Sequence, residues 1–279
     1  MITTLKAKIK EVHIDTNGPV TVIGECINPT RRKKLVSTLQ SGDFEYLMEL
    51  AQQQIDDMAD VLDVNVGFPG VDDEKLLPAA VKVIQDTHNI PLCLDSPNHK
   101  AIEAALKIAT GKCLINSVNG EEKSLEKLLP VAKEYGAAII GLAMDESGIT
   151  HDPEKRLAIA EKIVNRAVKE GIPQEDVIID PLAMAVSADP NACLVTLDTI
   201  RLVHDNLGLN VTMGASNISF GLPGRETLNS SFIALAIYFG LTCPIANPGK
   251  IVPMIRATDL IMGRDDYAMR FIRACHDKE

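Results

Sequence analysis

The sequence predicts an α/β chain that closes as a (β/α)8 TIM barrel, and three observations lead there. Short apolar runs of strand length alternate with amphipathic stretches along the chain. Eight such pairs fit the 279 residues. Nearly every run ends in Asp, Asn or Glu, as expected where parallel strands deliver their C-terminal ends to one mouth.

The elements follow in chain order. The segment Ala7–Val20 reads as a hairpin or extended lead-in, placed to plug the barrel bottom. The strand runs are Val20–Gly24, Val61–Val66, Pro91–Leu94, Cys113–Ile115, Ala137–Ala143, Val177–Ile179, Val211–Gly214 and Cys243–Ala246. Between them the apolar residues recur with helical spacing, as in Leu125, Leu128, Leu129 and Ala132, with charges on the opposite face. Asp152-Pro153 and Asp189-Pro190 each combine a capping oxygen with a fixed φ and predict helix starts. Gly136 and Gly171-Ile172-Pro173 predict helix exits. A doubly wound open sheet is the competing architecture, but it would use fewer strands, and no Gly-x-Gly-x-x-Gly follows the first run. No linker, repeat or low-complexity tract divides the chain, so residues 1–279 read as one barrel domain.

Composition narrows the function classes. Hydrophobic residues make up 46% of the chain and aromatic residues only 4%, with no Trp, so the core must be aliphatic. A formal net charge of −10 argues against a general nucleic-acid or membrane-surface binder. The same field repels an anionic substrate, which would therefore need a local basic site. No apolar run is long enough to span a bilayer. Met1–Glu11 is Lys-rich but lacks the apolar core of a signal peptide. The six cysteines are scattered singly, which signals neither a disulfide framework nor a metal site and suggests a reducing cytoplasm.

The residues at the strand ends carry the functional signal. In order they are Gly24-Glu25-Cys26-Ile27-Asn28, Leu62-Asp63-Val64-Asn65-Val66-Gly67, Asp95-Ser96, Asn116-Ser117, Met144-Asp145, Asp180-Pro181, Ser216-Asn217 and Asn247-Pro248. Helix capping explains any one of these. It explains less well a whole rim of carboxylates and amides without a clustered His or Lys. Such a rim is rich in acceptors and suits a ligand presenting several N–H donors in one plane, such as an aminopyrimidinone. It does not suit a phosphate.

At these residues the sequence resembles the pterin-binding barrel family, specifically the methyltetrahydrofolate:corrinoid methyltransferases. Relatives of that group include dihydropteroate synthase and the folate domain of cobalamin-dependent methionine synthase. The matching stretches run in order from Gly24-Glu25-Cys26-Ile27-Asn28 through Leu92-Cys93-Leu94-Asp95-Ser96 and Ile179-Asp180-Pro181-Leu182 to Gly214-Ala215-Ser216-Asn217-Ile218-Ser219. The resemblance implies transfer of the N5 methyl group between 5-methyltetrahydrofolate and the cob(I)alamin of a separate corrinoid protein, by a homodimeric enzyme. It implies that Asp180 pairs with the pterin ring N–H and exocyclic amine, and that Asp95 and Asn116 complete recognition of the ring edges. Asn217 would hydrogen-bond at or near N5, with Gly214 and Ser216 on the same wall and Asp63 and Asn65 orienting the others. Asn217 and Asp95 are the candidate catalytic residues. Asn217 has no proton to give, so a water or Asp95 would relay one to the departing nitrogen.

The sequence departs from the family pattern at two places. Cys26 stands where Arg is common in the first motif, and Asn229-Ser230-Ser231-Phe232 stands where Asn-Arg-Thr-Phe is familiar. Both changes remove a positive charge near the upper face. Arg225 keeps its spacing and is a candidate contact for the folate tail or the corrinoid. Two other readings compete. A dihydropteroate synthase would need a Ser-Arg-Lys element where this chain has Ser216-Asn217-Ile218-Ser219, and Arg273-Ala274-Cys275-His276-Asp277 mimics an Arg-x-His-Asp motif in the wrong place. A non-catalytic pterin-binding module is the second, and Asn217 argues against it. None of His13, His88, His99, His151, His204 and His276 sits in an Asp-x-His-x-x-Gly context, so the corrinoid must come from another chain.

Overall fold

A computed structural model describes residues 1–276. The chain opens with an antiparallel hairpin, β1 (Ile2–Lys6) and β2 (Glu11–Asp15), paired from Ile2↔Asp15 to Lys6↔Glu11. Eight strands follow: β3 (Ile23–Ile27), β4 (Val61–Asn65), β5 (Leu92–Asp95), β6 (Leu114–Asn119), β7 (Ala138–Leu142), β8 (Val177–Asp180), β9 (Thr212–Gly214) and β10 (Cys243–Ala246). All their ladders are parallel, in the spatial order β8-β7-β6-β5-β4-β3-β10-β9. A single parallel bridge between Ile179 and Val211, with Ile179 N–H donating to Asn210 O at 3.0 Å, brings β8 to β9 and closes the ring.

The helices lie outside. They are α1 (Lys33–Gln40), α2 (Glu45–Asp56), α3 (Asp73–Thr87), α4 (His99–Leu106), α5 (Glu122–Tyr135), α6 (Pro153–Glu170), α7 (Ala192–Leu207), α8 (Arg225–Phe239), α9 (Pro248–Ile261) and α10 (Met269–His276). Their buried stripes face the outward side chains of the strands in one aliphatic layer that includes Leu62, Val64, Leu94, Ile115, Ile139 and Ile179. A second, separate cluster fills the barrel itself, from Ile23, Val61, Cys93, Leu114, Ala138, Ile140, Ile178, Cys243 and Ile245. Leu5, Val12 and Ile14 of the hairpin belong to this inner cluster, so the hairpin stoppers the barrel floor. Among the described residues no helix is long and apolar enough to cross a membrane.

Several expected boundaries move. The hairpin begins at Ile2, not Ala7, and Ala7–Lys10 forms its turn, closed by Ala7 N–H to Lys10 O at 2.8 Å. The first barrel strand covers Ile23–Ile27 instead of Val20–Gly24, so Glu25 and Cys26 lie within it. A register shift there leaves the Cys26 N–H to Gln54 Oε1 of α2 at 2.8 Å. Gly24 makes room for that contact, since a Cβ there would lie 2.4 Å from the same oxygen. Asp189-Pro190 does not open a helix. Asp189 accepts from Asn191 N–H and meets His151 Nδ1 at 2.7 Å, and α7 starts at Ala192. By contrast Asp152 caps α6 over Pro153, and Gly136 and Gly171 close α5 and α6 in the left-handed region. Asp277, the end of the Arg273–His276 run, lies outside the described residues.

Candidate active site

A strand alternates its faces every residue, so positions two beyond an interior residue point the same way. Along β4, Val61 belongs to the inner cluster and Asp63 and Asn65 follow on its face. The same step leads from Cys93 to Asp95 on β5, from Leu114 to Asn116 on β6, and from Ile178 to Asp180 on β8. The lower part of the barrel is aliphatic, and its upper inward positions are carboxylates and amides. Parallel pairing sets their heights, with Asn65 opposite Asp95 and Asp95 opposite Asn116.

Hydrogen bonds tie these side chains into two cross-strand pairs. Asn65 Nδ2 donates to Asp95 Oδ2 at 2.8 Å, and Asn116 Nδ2 donates to Asp63 Oδ1 at 3.2 Å. Asp63 is only 3% exposed, and burial followed by the neighbouring Asp95 carboxylate holds its pKa well above the ordinary carboxylate range. Asp95 is raised as well by burial, against the hydrogen bond from Asn65. Asp180 is 8% exposed, and burial pushes its pKa up to about 7. Leu182 N–H donates to Asp180 Oδ1 at 2.7 Å and fixes its rotamer. Desolvated carboxyls of this kind accumulate where a ligand or a proton is to be handled.

The opposite wall is the turn after β9. Residues Ala215–Ser219 form a short 3-10 helix, and α8 begins only at Arg225 with Gly224 as its N-cap. Asn217 therefore does not cap α8. Its side chain is exposed at the mouth and makes no hydrogen bond among the described residues. A Cβ on Gly214 would lie 2.9 Å from Asn217 Nδ2, so the glycine leaves the space this amide occupies. Ser216 Oγ donates to Glu25 Oε2 at 3.4 Å. Arg225 donates from Nε to Ser219 Oγ at 3.0 Å and from Nη2 to Ser216 O at 2.8 Å, bracing the turn that carries Asn217.

The structure thus gathers Asp63, Asn65, Asp95, Asn116, Asp180, Gly214, Ser216, Asn217 and Arg225 at one end of the barrel. It also adds residues that the sequence reading did not assign. Glu25 stands between Ser216, Arg225 and Arg32, with a pKa raised by burial. Arg32 reaches the Cys26 thiol and brings a guanidinium beside it. Arg156 is fully buried. It donates to Pro181 O at 2.6 Å, Leu182 O at 2.9 Å and Thr150 O at 2.7 Å, and so anchors the loop behind Asp180. A charged residue on the apolar stripe of α6, beside Leu157, Ile159 and Ala160, was the available signal. Beside the Asn217 turn lies a cavity of about 210 Å³ bordered by Glu25, Ser216, Arg225, Asn229 and Asn247. Asn229 Oδ1 there is buried without a partner.

The family model described as pterin binding enzyme matches residues 24–247, from Gly24 beside Glu25 to Asn247 at the end of β10. The chain is similar to methylcorrinoid:tetrahydrofolate methyltransferase of Eubacterium limosum, 27% identical over 91% of this chain and 95% of that protein. It is also similar to methionine synthase of Mycobacterium tuberculosis, 31% identical over 90% of this chain but only 23% of that much longer protein. Among solved structures it resembles a Yersinia pestis dihydropteroate synthase bound to a pterin–sulfa conjugate, with a TM-score of 0.71 at 16% identity over 94% of this chain and 100% of the other. It also resembles the Thermus thermophilus dihydropteroate synthase, with a TM-score of 0.64 at 17% identity over 94% and 99% of the two chains. At such identities the structural likeness speaks for the fold.

Proposed function

We propose, from the premise that this chain belongs to the pterin-binding enzyme family, that it moves the N5 methyl group between 5-methyltetrahydrofolate and a corrinoid carried by a separate protein. The observation that carries this reading is the two-sided mouth. Buried and half-buried carboxylates and amides on β4, β5, β6 and β8 face an amide on the turn after β9 that has no hydrogen-bond partner among the described residues. The similarity in sequence and length to a methylcorrinoid:tetrahydrofolate methyltransferase supports it.

In this reading Asp180, as the carboxylate, accepts from the pterin N3–H and exocyclic amine, a two-point contact that fixes the ring plane. Asp95 and Asn116 meet the remaining ring edge, and Asp63 and Asn65 hold those two side chains in place through the hydrogen bonds already described. Asn217 contacts N5. The corrinoid supplies a strongly nucleophilic cobalt, so the chain's own task lies with the leaving nitrogen. N5 departs poorly unless it is protonated, and in this reading Asp95, kept protonated to higher pH by burial, supplies the proton across the mouth through a water. Proton delivery of this kind contributes roughly 10²–10⁴-fold. The rest comes from holding the methyl group in line.

We further take the whole chain, residues 1–279, as a single pterin-binding barrel domain acting in the cytoplasm as a homodimer. Leu235 and Tyr238 on α8 are 51% and 72% exposed, an apolar surface that a second copy would cover. A dihydropteroate synthase reaction is disfavoured because Ala215–Ser219 carries no cation to hold a pyrophosphate. The deciding experiment is single-turnover mixing of the protein with 5-methyltetrahydrofolate and cob(I)alamin. Conversion to methylcobalamin, read by absorbance, is the expected result. Folate binding without conversion would leave a binding module.

A further inference from the structure

We propose that Arg31 and Arg32, in the loop that joins β3 to α1, and Lys33, the first residue of α1, hold the anionic tail of the folate against Phe220. The inference rests on the folate reading above and extends it to the part of the substrate that the polar mouth does not address.

The argument begins with the ligand's own connectivity. The tail of a folate is attached at C6, the ring atom next to N5. If Asn217 marks N5, the tail must leave the barrel beside the turn after β9, where the ends of β10 and β3 come next in the ring. On that side the loop after β3 folds toward the turn after β9. Arg31 Cζ lies 4.9 Å from the centroid of the Phe220 ring, three residues beyond Asn217. Phe220 is 51% exposed, an aromatic ring left open beside the turn that carries Asn217. An aromatic face with a guanidinium above it suits the benzoyl ring of the tail. The carboxylates beyond that ring would then meet the basic run.

The charges in this run are available. Lys34, the next residue, is engaged with Glu49 at 3.5 Å and lies over the Tyr46 ring. Arg31, Arg32 and Lys33 have no acidic partner within ion-pair distance among the described residues. Arg32 feels Glu25 without closing an ion pair, and reaches the Cys26 thiol. On a chain of net charge −10, three unpaired cations beside the mouth form the local basic site that an anionic substrate requires. They also stand in for the charges lost at Cys26 and Ser230. The other basic opening, with His99, Lys123 and Lys127, lies at the end of β6. That strand is four places from β10 around the ring, on the wrong side for a tail leaving beside N5.

Calorimetric titration with three probes tests the proposal: a tailless 6-methyltetrahydropterin, 5-methyltetrahydrofolate with one glutamate, and the same folate with three. In the wild-type protein affinity should rise with tail length, and the gain should shrink as salt is added. In the R31Q/R32Q/K33Q variant the ratio of triglutamate to tailless affinity should fall by about tenfold, the scale of a few exposed charge contacts. R32K alone should keep most of the ratio, because the charge stays. An unchanged ratio in the triple variant, or no gain with tail length in the wild type, overturns the proposal. So does a deficit that appears only in methyl transfer to a corrinoid protein, which would make the run a protein-docking face. If the tailless pterin and both folates all fail to bind the wild type, the folate reading itself falls, and the tail site with it.

Discussion

Asp180→Asn separates what the site costs the fold from what it contributes to binding. Burial lifts the Asp180 carboxyl from an ordinary 3.8 to about 7. That displacement corresponds to about 4 kcal/mol between the two protonation states. A carboxyl whose folded pKa is raised keeps its proton in the native state while the unfolded chain has already lost it. Between the two values the native state binds more protons, so stability falls as pH rises from about 4 towards 7 and then levels off. Asparagine keeps the size and the oxygen that accepts from Leu182 N–H at 2.7 Å, but it does not titrate. Urea denaturation of both proteins at pH 5 and pH 8 should therefore show the variant gaining on the wild type with rising pH, by about 3 kcal/mol, since part of the span is already lost at pH 5. The same variant should bind folate more weakly by at least about 1–3 kcal/mol, because an amide faces a pair of N–H donors where a carboxylate accepted both. Folate affinity of the wild type should in turn rise with pH through about 7, as Asp180 ionises. A stability difference that stays flat from pH 5 to pH 8 would refute the account of Asp180 as a carboxyl held neutral by desolvation.

Other expectations follow from the opposite wall and from the cross-strand pairs. Asn217→Ala should slow methyl transfer at saturating folate on the order of 10²–10³-fold, the scale of deleting one positioned donor at a reacting atom. Because Gly224, not Asn217, caps α8, its thermal midpoint should stay near that of the wild type; a destabilised variant with normal turnover would remove Asn217 from catalysis. Gly214→Ala has an ordinary φ of −68, but its new Cβ would meet Asn217 Nδ2 at 2.9 Å. It should fold normally and lose roughly 10–100-fold in rate through displacement of that amide, and full activity would mean that the position of Asn217 is immaterial. Asn65→Leu removes the donor that lowers the Asp95 pKa. If Asp95 supplies the proton, the alkaline fall of the pH–rate profile should move to higher pH, and an unmoved profile would assign the proton elsewhere.

The legibility of the site differed from wall to wall. Asp63, Asn65, Asp95, Asn116 and Asp180 were visible as polar residues at the ends of apolar strand runs, and strand parity is why the structure brings them together. An acidic or amide residue two places beyond an aliphatic one, repeated on several parallel strands, can only collect at the open end of the ring. Asn217 was visible as a strand-end residue, yet whether it was a cap depended on where α8 begins. That start lies at Arg225, after a 3-10 turn that no periodicity announces. Glu25 was displaced in the reading because the first strand was placed over Val20–Gly24. The real strand carries a register shift between Gly24 and Ile27, which hides the alternation that would have marked Glu25 as an inward residue.

By itself the sequence determined the alternation of strands and helices, the barrel that eight such units close into, and the chemistry of its mouth. These follow from local rules, since hydrophobic period, turn residues and strand parity are written within a few residues of each other. Tertiary structure alone decided how far each carboxyl is desolvated and which cations reach it, and hence that Asp180 sits near 7 while exposed Glu122, held by Arg166 and Lys162, falls below its ordinary value. It alone brought Arg156 under the Asp180 loop, Arg32 to the Cys26 thiol and Arg31 over Phe220. Those contacts join residues far apart in the chain, apart from Arg32 and Cys26. Their energies depend on distance and on excluded water, quantities that exist only once the ring has closed.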